Sequence, residues 1–417
     1  MRIIHTSDWH LGQFFINKSR LHEHQQFIVW LLQQVSDHNV DAVIIAGDIF
    51  DTGSPPSYAR ELYNQFVIGM NNLGRQLIIL AGNHDSVSTL NESKEILAQL
   101  NTQVITSVSE TLDEQVLQLK DQHGNVGAIL CAIPYLRPRD MMLSQAGETG
   151  EQKQQALGQA ISQHYQEVFE LAKRQCQELD GNAAIIATGH LTAMGVKTSD
   201  SVRDIYIGNL EAFPANEFPA ADYIALGHIH RPQKVAKTEH IRYSGSPIPL
   251  SFDELGSDKQ VLMVDFFDGE LVKIKPLKIP LFQPMKVIKG DLASIEQQLL
   301  SLADTETDLP TWLSIEVETE DYLNDLQQRV QALSEGLNVE VLQLRRARKQ
   351  QQQAIEREDK ELLAELSPDD VFERRLATEV FDSDEKTERK NRLIQTFNRI
   401  VNEVEDDLKA GQKIENY

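Results

Sequence analysis

Ala42-Val43-Ile44-Ile45-Ala46-Gly47-Asp48-Ile49-Phe50-Asp51 decides how this chain is read. An unbroken run of small and aliphatic residues, stopped by glycine, describes a short strand buried on both faces. The glycine permits a sharp turn, and the acids behind it are delivered at the strand's carboxyl end. The same grammar recurs on either side. Ile3-Ile4 leads into Asp8-Trp9-His10, and Leu77-Ile78-Ile79-Leu80 into Gly82-Asn83-His84-Asp85. Ala184-Ile185-Ile186-Ala187 leads into Gly189-His190, and Tyr223-Ile224-Ala225-Leu226 into Gly227-His228-Ile229-His230. A further apolar run spans Ala128 to Ile133. Between the runs, 20–38, 57–73 and 152–179 carry helical spacing; in the first, Phe27, Trp30, Leu31 and Val35 share a face. Strands alternating with amphipathic helices predict an α/β layered core over residues 1–280.

Carboxyl ends of strands in such a sheet share one rim, where ligands bind. The five clusters bring to it the carboxylates of Asp8 and Asp48, the Asn83 amide and the imidazoles of His10, His190, His228 and His230. His84 is left over, and no thiolate is present. An oxygen and imidazole set suits hard to borderline divalent ions, Mn²⁺ first, with Fe²⁺ and Zn²⁺ behind it. So many ligands exceed the needs of one open catalytic ion and fit two ions about 3.5–4 Å apart. Cations that close need an anion between them, and Asp48 is the candidate bridge. A lone Asp-x-His or Gly-His is background; five such clusters in order, each after a strand, are not. By contrast His22 and His24, beside Glu23 on a helix, are expected at the surface, and His5, His38, His123, His164 and His240 likewise.

The chain has 417 residues, a length that predicts two or three domains. Residues 281–346 read strand, helix, strand, helix, strand, a small α+β capping domain. Residues 347–366 are a polar linker, and 347–417 as a whole carry C-terminal helices at 368–380 and 386–406. Phe372, Leu376 and Val380 fall four apart; Leu393, Phe397, Ile400 and Val404 make a coiled-coil-like seam suited to a partner. No G-x-x-x-x-G-K-[ST] phosphate loop occurs, so ATP use by that route would belong to a partner. The two cysteines, Cys131 and Cys176, exclude a disulfide-built scaffold. No apolar stretch approaches the roughly 18 residues of a membrane span, and no leader pattern opens the chain. The expected location is the cytoplasm.

Forty basic against 63 acidic residues give a net charge of −23, which excludes DNA binding through the global field. Nucleic acid would need local basic groups, bound cations or a basic partner. Arg137, Arg139, Arg203 and Arg231 are the candidate substrate contacts, with Lys18, Arg20, Lys197 and Arg242 also near the motifs.

With the stretches MRIIHTSDWHLGQ, AGDIFDTGSPPSYAR, LAGNHDSVSTLNES, TGHL, ALGHIHRPQ and YSGSPIPLSFDE in order, the chain resembles the calcineurin-like metallophosphoesterase superfamily. Within it, the tighter likeness is to bacterial nucleases that work with a coiled-coil ATPase. The resemblance implies an α-β-β-α sandwich. It implies one ion on Asp8, His10, Asp48 and His230, and a second on Asp48, Asn83, His190 and His228. His84 would be the catalytic histidine, protonating the leaving ribose oxygen, with Asp85 orienting it. Archaeal and eukaryotic relatives often carry histidine where Asp51 stands; Asp51 is therefore either a contact behind a ligand or a structural acid.

The implied activity is a 3′→5′ exonuclease on double-stranded DNA and an endonuclease on single strands and hairpins, in DNA repair, recombination and replication. The implied partners are DNA and the ATPase, with a homodimer inside a heterotetramer. Two other readings compete. A small-molecule or cyclic-nucleotide phosphodiesterase of the same superfamily needs little beyond the catalytic domain, and this chain extends far past residue 280. A non-enzymatic scaffold would lack ligands, and here every ligand position is filled.

Overall fold

Along Arg2–Thr6 and Ala42–Ala46, successive side chains go to opposite sides of one sheet, as the period of two requires. Ile4, Val43 and Ile45 face the helices Leu21–Asp37 and Ser57–Asn72, meeting Phe27, Leu31, Phe66 and Met70. Ile3, Ala42, Ile44 and Ala46 face the other way, onto Ala128, Leu130, Ala184, Ile186 and Ala225 of a second sheet. The second sheet's outer face, with Ile129, Ala187, Ile224 and Leu226, is covered by Ile161, Tyr165 and Val168 of the long helix Gly150–Gln177. The order is helix, sheet, sheet, helix, the layered α/β sandwich expected.

The structure is a computed structural model and describes residues 1–109, 111–141, 149–179, 181–202, 212–302, 308–318, 326–346, 390 and 396–397. The chain divides into the units Met1–Ala347 and Arg348–Tyr417. The second unit is described only at 390 and 396–397, which are helical. The expected linker and the helices 368–380 and 386–406 otherwise lie outside the described residues, as does Arg203. Among the described residues no helix is long and apolar enough to cross a membrane.

In the first sheet the strands at 2–6, 42–46, 76–80 and 102–105 run parallel, and the hairpin 260–267/270–278 closes one edge antiparallel. In the second, 126–131, 184–190, 223–227 and 241–243 run parallel, with antiparallel strands 116–120 and 233–234 at the edges. The edge strands add to the runs read from sequence. Glu270–Lys278 is largely exposed, so polar residues interrupt its apolar pattern. The cap, expected as α+β, has three parallel strands, 285–290, 311–317 and 339–346, joined through helices Leu292–Leu300 and Leu326–Ser334. It is a βαβαβ unit with its own core of Ile288, Ile295, Leu313, Ile315 and Val330.

Several polar residues expected at the surface are buried instead. His24 is fully buried, because its turn of the first helix faces the loop that holds Trp9; only its neighbour His22 is exposed. His5 is buried between the sheets and His164 on the long helix. Arg20, near the motifs in sequence and expected within reach of phosphate, is fully buried in a two-pronged ion pair with Glu23 and donates to the Pro249 carbonyl at 2.8 Å. Its guanidinium lies 5.0 Å from the Phe15 ring centre and 5.8 Å from that of Trp312 in the cap. Phe15 and Trp312 stack nearly parallel at 5.8 Å, so this cluster joins the hairpin at 14–19 to the cap.

Candidate metal centre

The turn after the first strand is pinned by Trp9. Its indole donates to Thr6 Oγ1 at 2.9 Å and meets Phe27 and Phe66 edge-on at 5.1 and 4.9 Å. A buried tryptophan so placed is worth about 3–5 kcal/mol against alanine. With Trp9 turned into the helix layer, Asp8 and His10 on either side turn to the rim. The second turn is laced to the first: Asp8 N donates to Gly47 O at 3.0 Å, His10 N to Asp48 O at 3.1 Å and Leu11 N to Ile49 O at 2.9 Å.

Asp8, His10, Asp48 and His228 all have positive φ, at 55°, 47°, 52° and 94°. Non-glycine residues hold that left-handed conformation at a cost, and such strain gathers at functional sites. Two glycines make room. A Cβ on Gly82 would stand 2.1 Å from Asp48 Oδ1, and one on Gly227 would stand 1.9 Å from the Ala46 carbonyl of the other sheet.

Three overlapping groups result: Asp8, His10 and His230; His10, Asp48 and His84; Asp48, His190 and His228. Asp48 is common to two of them. Its Oδ2 lies 3.6 Å from His10 Nε2 and 3.2 Å from His190 Nε2. Its Oδ1 accepts from the His84 backbone N–H at 2.8 Å. The Asn83 Oδ1 atom sits 2.9 Å from His190 Nε2 and 3.1 Å from His228 Nδ1. Asp8 Oδ1 accepts from the His228 backbone N–H at 2.7 Å, and Asp8 Oδ2 from the Ser7 hydroxyl at 2.6 Å.

The electrostatics favour cations. Burial works against the Asp48 carboxylate, but His190, His10 and His84 outweigh it and hold its pKa well below the ordinary range. Burial likewise opposes the His190 imidazolium; Asp48 and Asp8 overcome it and raise its pKa to about 9. A divalent cation would meet the same field. Among the described residues, the Nε2 atoms of His10 and His228 are buried without a hydrogen-bond partner, an expensive arrangement unless something else takes their lone pairs. Orphaned imidazole nitrogens among buried carboxylates fit divalent ions.

Asp85 departs from expectation. Its carboxylate does not orient His84; it accepts from the backbone N–H groups of Gly82 at 2.8 Å, Phe50 at 3.0 Å and Ile49 at 3.1 Å. It thus ties the Gly82 and Gly47 turns together. Burial, then the nearby Asp48, pushes its pKa up to about 6. His84 is instead held by Asp51, whose backbone carbonyl lies 2.7 Å from His84 Nδ1. Asp51 Oδ1 also stands 3.1 Å from His10 Nδ1, a contact behind a ligand candidate.

The arginines are less available than the sequence implied. Arg137 donates to the carbonyls of Thr106 at 3.1 Å and Asp85 at 3.2 Å. Arg231 donates to the Asp253 carboxylate at 2.6 Å and carbonyl at 3.0 Å. Arg139 is exposed, 3.5 Å from Asp140. Of the other basic groups, Lys18 pairs with Glu340, and Arg242 with Glu239 at 3.1 Å.

Sequence reasoning missed Ser201, Glu254 and Lys259. Glu254 is fully buried and Lys259 nearly so, 2.5 Å apart, directly behind His230. Burial disfavours the Glu254 carboxylate, but Lys259 and His230 outweigh that and hold its pKa well below the usual carboxylate value. The stretch SFDE was visible; nothing in it told which acid turns inward.

Residues 1–232 match the calcineurin-like phosphoesterase family, and 281–380 match a domain described as the type 5 capsule protein repressor C-terminal domain. The chain is 52% identical to SbcD of the SbcCD nuclease of Escherichia coli (strain K12), over 97% of this chain and 100% of the relative. The chain belongs to the SbcD family. Its relatives of the same name in Rhodobacter capsulatus and Bacillus subtilis are 33% and 29% identical, over 69% and 78% of this chain and 71% and 81% of theirs. Membership of the SbcD family and the phosphoesterase domain make this chain a metal-dependent phosphodiesterase of the nuclease class. Its clustered histidines and aspartates suit divalent metal binding.

Proposed function

We propose that this chain is a two-metal DNA nuclease, a 3′→5′ exonuclease on double-stranded DNA and an endonuclease on single strands and hairpins. It acts in DNA repair, recombination and replication with an SbcC-type ATPase, as a homodimer within a heterotetramer in the cytoplasm. The relatives' shared name places them as one component of a nuclease called SbcCD, which supports that partner. The observation that carries the reading is Asp48 Oδ2 standing between His10 Nε2 and His190 Nε2, at 3.6 and 3.2 Å. One carboxylate shared by two ligand sets is the device a close ion pair needs.

Asp8, His10, Asp48 and His230 would hold one ion, and Asp48, Asn83, His190 and His228 would hold the other. The donor set favours Mn²⁺. Bound there, the ions supply an activated water and charge compensation for the phosphate oxygens. The chain's own residues do the rest. His84 Nδ1 donates to the Asp51 carbonyl, which fixes the ring and leaves Nε2 as its proton-exchanging atom. In the imidazolium form, His84 gives that proton to the leaving ribose oxygen. Asp85 holds the Gly82 turn so that Asn83 and His84 keep their places. Exposed Arg139 steers the phosphate backbone locally against the chain's acidic total, and Arg137, Arg203 and Arg231 are the other candidate contacts.

The test is hydrolysis by the full chain of an end-labelled DNA hairpin and of a cyclic nucleotide, each titrated with Mn²⁺. Metal-stimulated hairpin cleavage well above cyclic-nucleotide turnover is expected. The reverse preference would make it a small-molecule phosphodiesterase, and no metal-stimulated hydrolysis of either would make it a scaffold.

A further inference from the structure

The candidate imidazoles differ in what stands behind them. His10 Nδ1 meets the Asp51 carboxylate at 3.1 Å, and His190 Nδ1 donates to the Ala46 carbonyl at 2.9 Å. His230 is backed by a serine and, at 3.4 Å from Nδ1, by the Glu254 carboxylate itself. Its Nδ1 lies 2.6 Å from Ser201 Oγ, and that hydroxyl hydrogen-bonds to Glu254 Oε1. A hydroxyl has one proton. If it goes to the Glu254 carboxylate, which can only accept, then Ser201 Oγ must accept from His230 Nδ1–H. The chain of donors therefore sets the tautomer, and the lone pair falls on Nε2.

The far end of this chain is built with unusual investment. Glu254 also accepts from Ser199 Oγ at 2.9 Å and Leu250 N at 3.0 Å. Lys259 Nζ reaches Glu254 Oε2 at 2.5 Å, Ser246 Oγ at 2.7 Å and the His230 backbone carbonyl at 3.0 Å. The pair thus grips His230 by its ring and by its main chain. A buried ion pair costs several kcal/mol of desolvation per ion and is a poor device for stability alone. Its place behind one imidazole calls for another purpose.

We propose that Ser201, Glu254 and Lys259 form a positioning relay that locks His230 as an Nε2 donor to the cation at Asp8 and His10. The proposal rests on the two-ion reading above. The relay touches only one of the two positions, since His190 and His228 are not in it. Such outer partners usually carry about a 10–100-fold effect on metal affinity.

The experiment is equilibrium titration of the metal-free full chain with Mn²⁺, reading free Mn²⁺ by electron paramagnetic resonance. Wild-type protein is expected to take up two ions. Ser201→Ala, which spares the buried pair, is expected to weaken one of them about 10–100-fold and leave the other unchanged. Ser201→Thr keeps a hydroxyl and is expected to restore the affinity, which a merely structural role of the loop would not predict. Glu254→Gln is expected to weaken the same ion, and if it fails to fold, Ser201→Ala decides alone. Two ions at wild-type affinity in Ser201→Ala, or an equal fall for both, would overturn the relay while leaving the two-ion reading intact. Fewer than two ions in wild type would overturn that reading and the relay with it.

Discussion

The two sheets of the sandwich contribute different chemistry to the rim. The sheet that begins the chain supplies the acids and the amide, Asp8, Asp48 and Asn83, together with one imidazole, His10, from turns pinned by Trp9 and Asp85. The second sheet supplies only imidazoles, His190, His228 and His230. The first sheet's turns hold left-handed aspartates and are laced to one another by main-chain hydrogen bonds. The second sheet's histidines are oriented from outside, by the Ala46 carbonyl of the opposite sheet and by the Glu254 pair. Each half is incomplete: the first sheet's acids have His10 as their one assigned imidazole, and the second sheet's imidazoles alone bind weakly. The centre exists because Ala42, Ala46, Ala184 and Gly227 let the sheets approach closely enough for the two sets to interleave.

The sharpest way to break this division of labour is at the one acid both sets share. Asp48→Ala should lose both ions together rather than one, with turnover down roughly ten-thousandfold, the scale of removing a member of a catalytic unit. Metal content by mass spectrometry checks it. A protein that still holds two ions at full occupancy would show that Asp48 is not the bridge.

His84 is the one imidazole that stands among the acids' turns and is assigned no ion in this scheme. His84→Ala should therefore keep both ions and lose about a hundred- to ten-thousandfold in turnover, as removal of a proton donor does. Metal titration alongside hairpin cleavage measures both quantities. Cleavage at the wild-type rate, or loss of an ion, would move His84 out of that role.

The rim was legible in the sequence for a local reason. Each motif follows its own strand, and glycine plus polar residues at a strand end can be read within about ten positions. Burial of the surrounding polar groups was not legible, because their partners lie far off in the chain. Arg20 is sealed by Pro249 and Trp312, and Glu254 serves His230 through Ser201. Asp85 looked like the partner of His84 because it is adjacent; in space its oxygens turn to the Ile49 and Phe50 backbone. The cap's strand directions were equally hidden, since an alternation of strands and helices does not by itself fix which way the strands run.

The seam between the sheets offers the finest test, through a histidine that has no part in the metal centre. His5, on the first sheet, bridges to the second: Nδ1 lies 2.9 Å from the Tyr223 hydroxyl and Nε2 3.2 Å from the Leu226 carbonyl. A carbonyl only accepts, so Nε2 carries the proton and Nδ1 accepts from Tyr223. That neutral ring is fully satisfied. Burial lowers its pKa to about 3, against an ordinary value of 6.5. A histidine whose folded pKa is depressed contributes its stability above the unfolded value and loses it on acidification, because the unfolded chain binds the proton first. The loss should begin near pH 6.5 and continue toward pH 3, at up to about 1.4 kcal/mol per pH unit from this group. Urea denaturation of the metal-free protein at intervals from pH 7.5 to 4.5 measures it. His5→Gln, which cannot titrate, should show a shallower fall than wild type by that amount. Equal slopes would mean that protonated His5 is tolerated between the sheets, and that the seam is less dry than its packing implies.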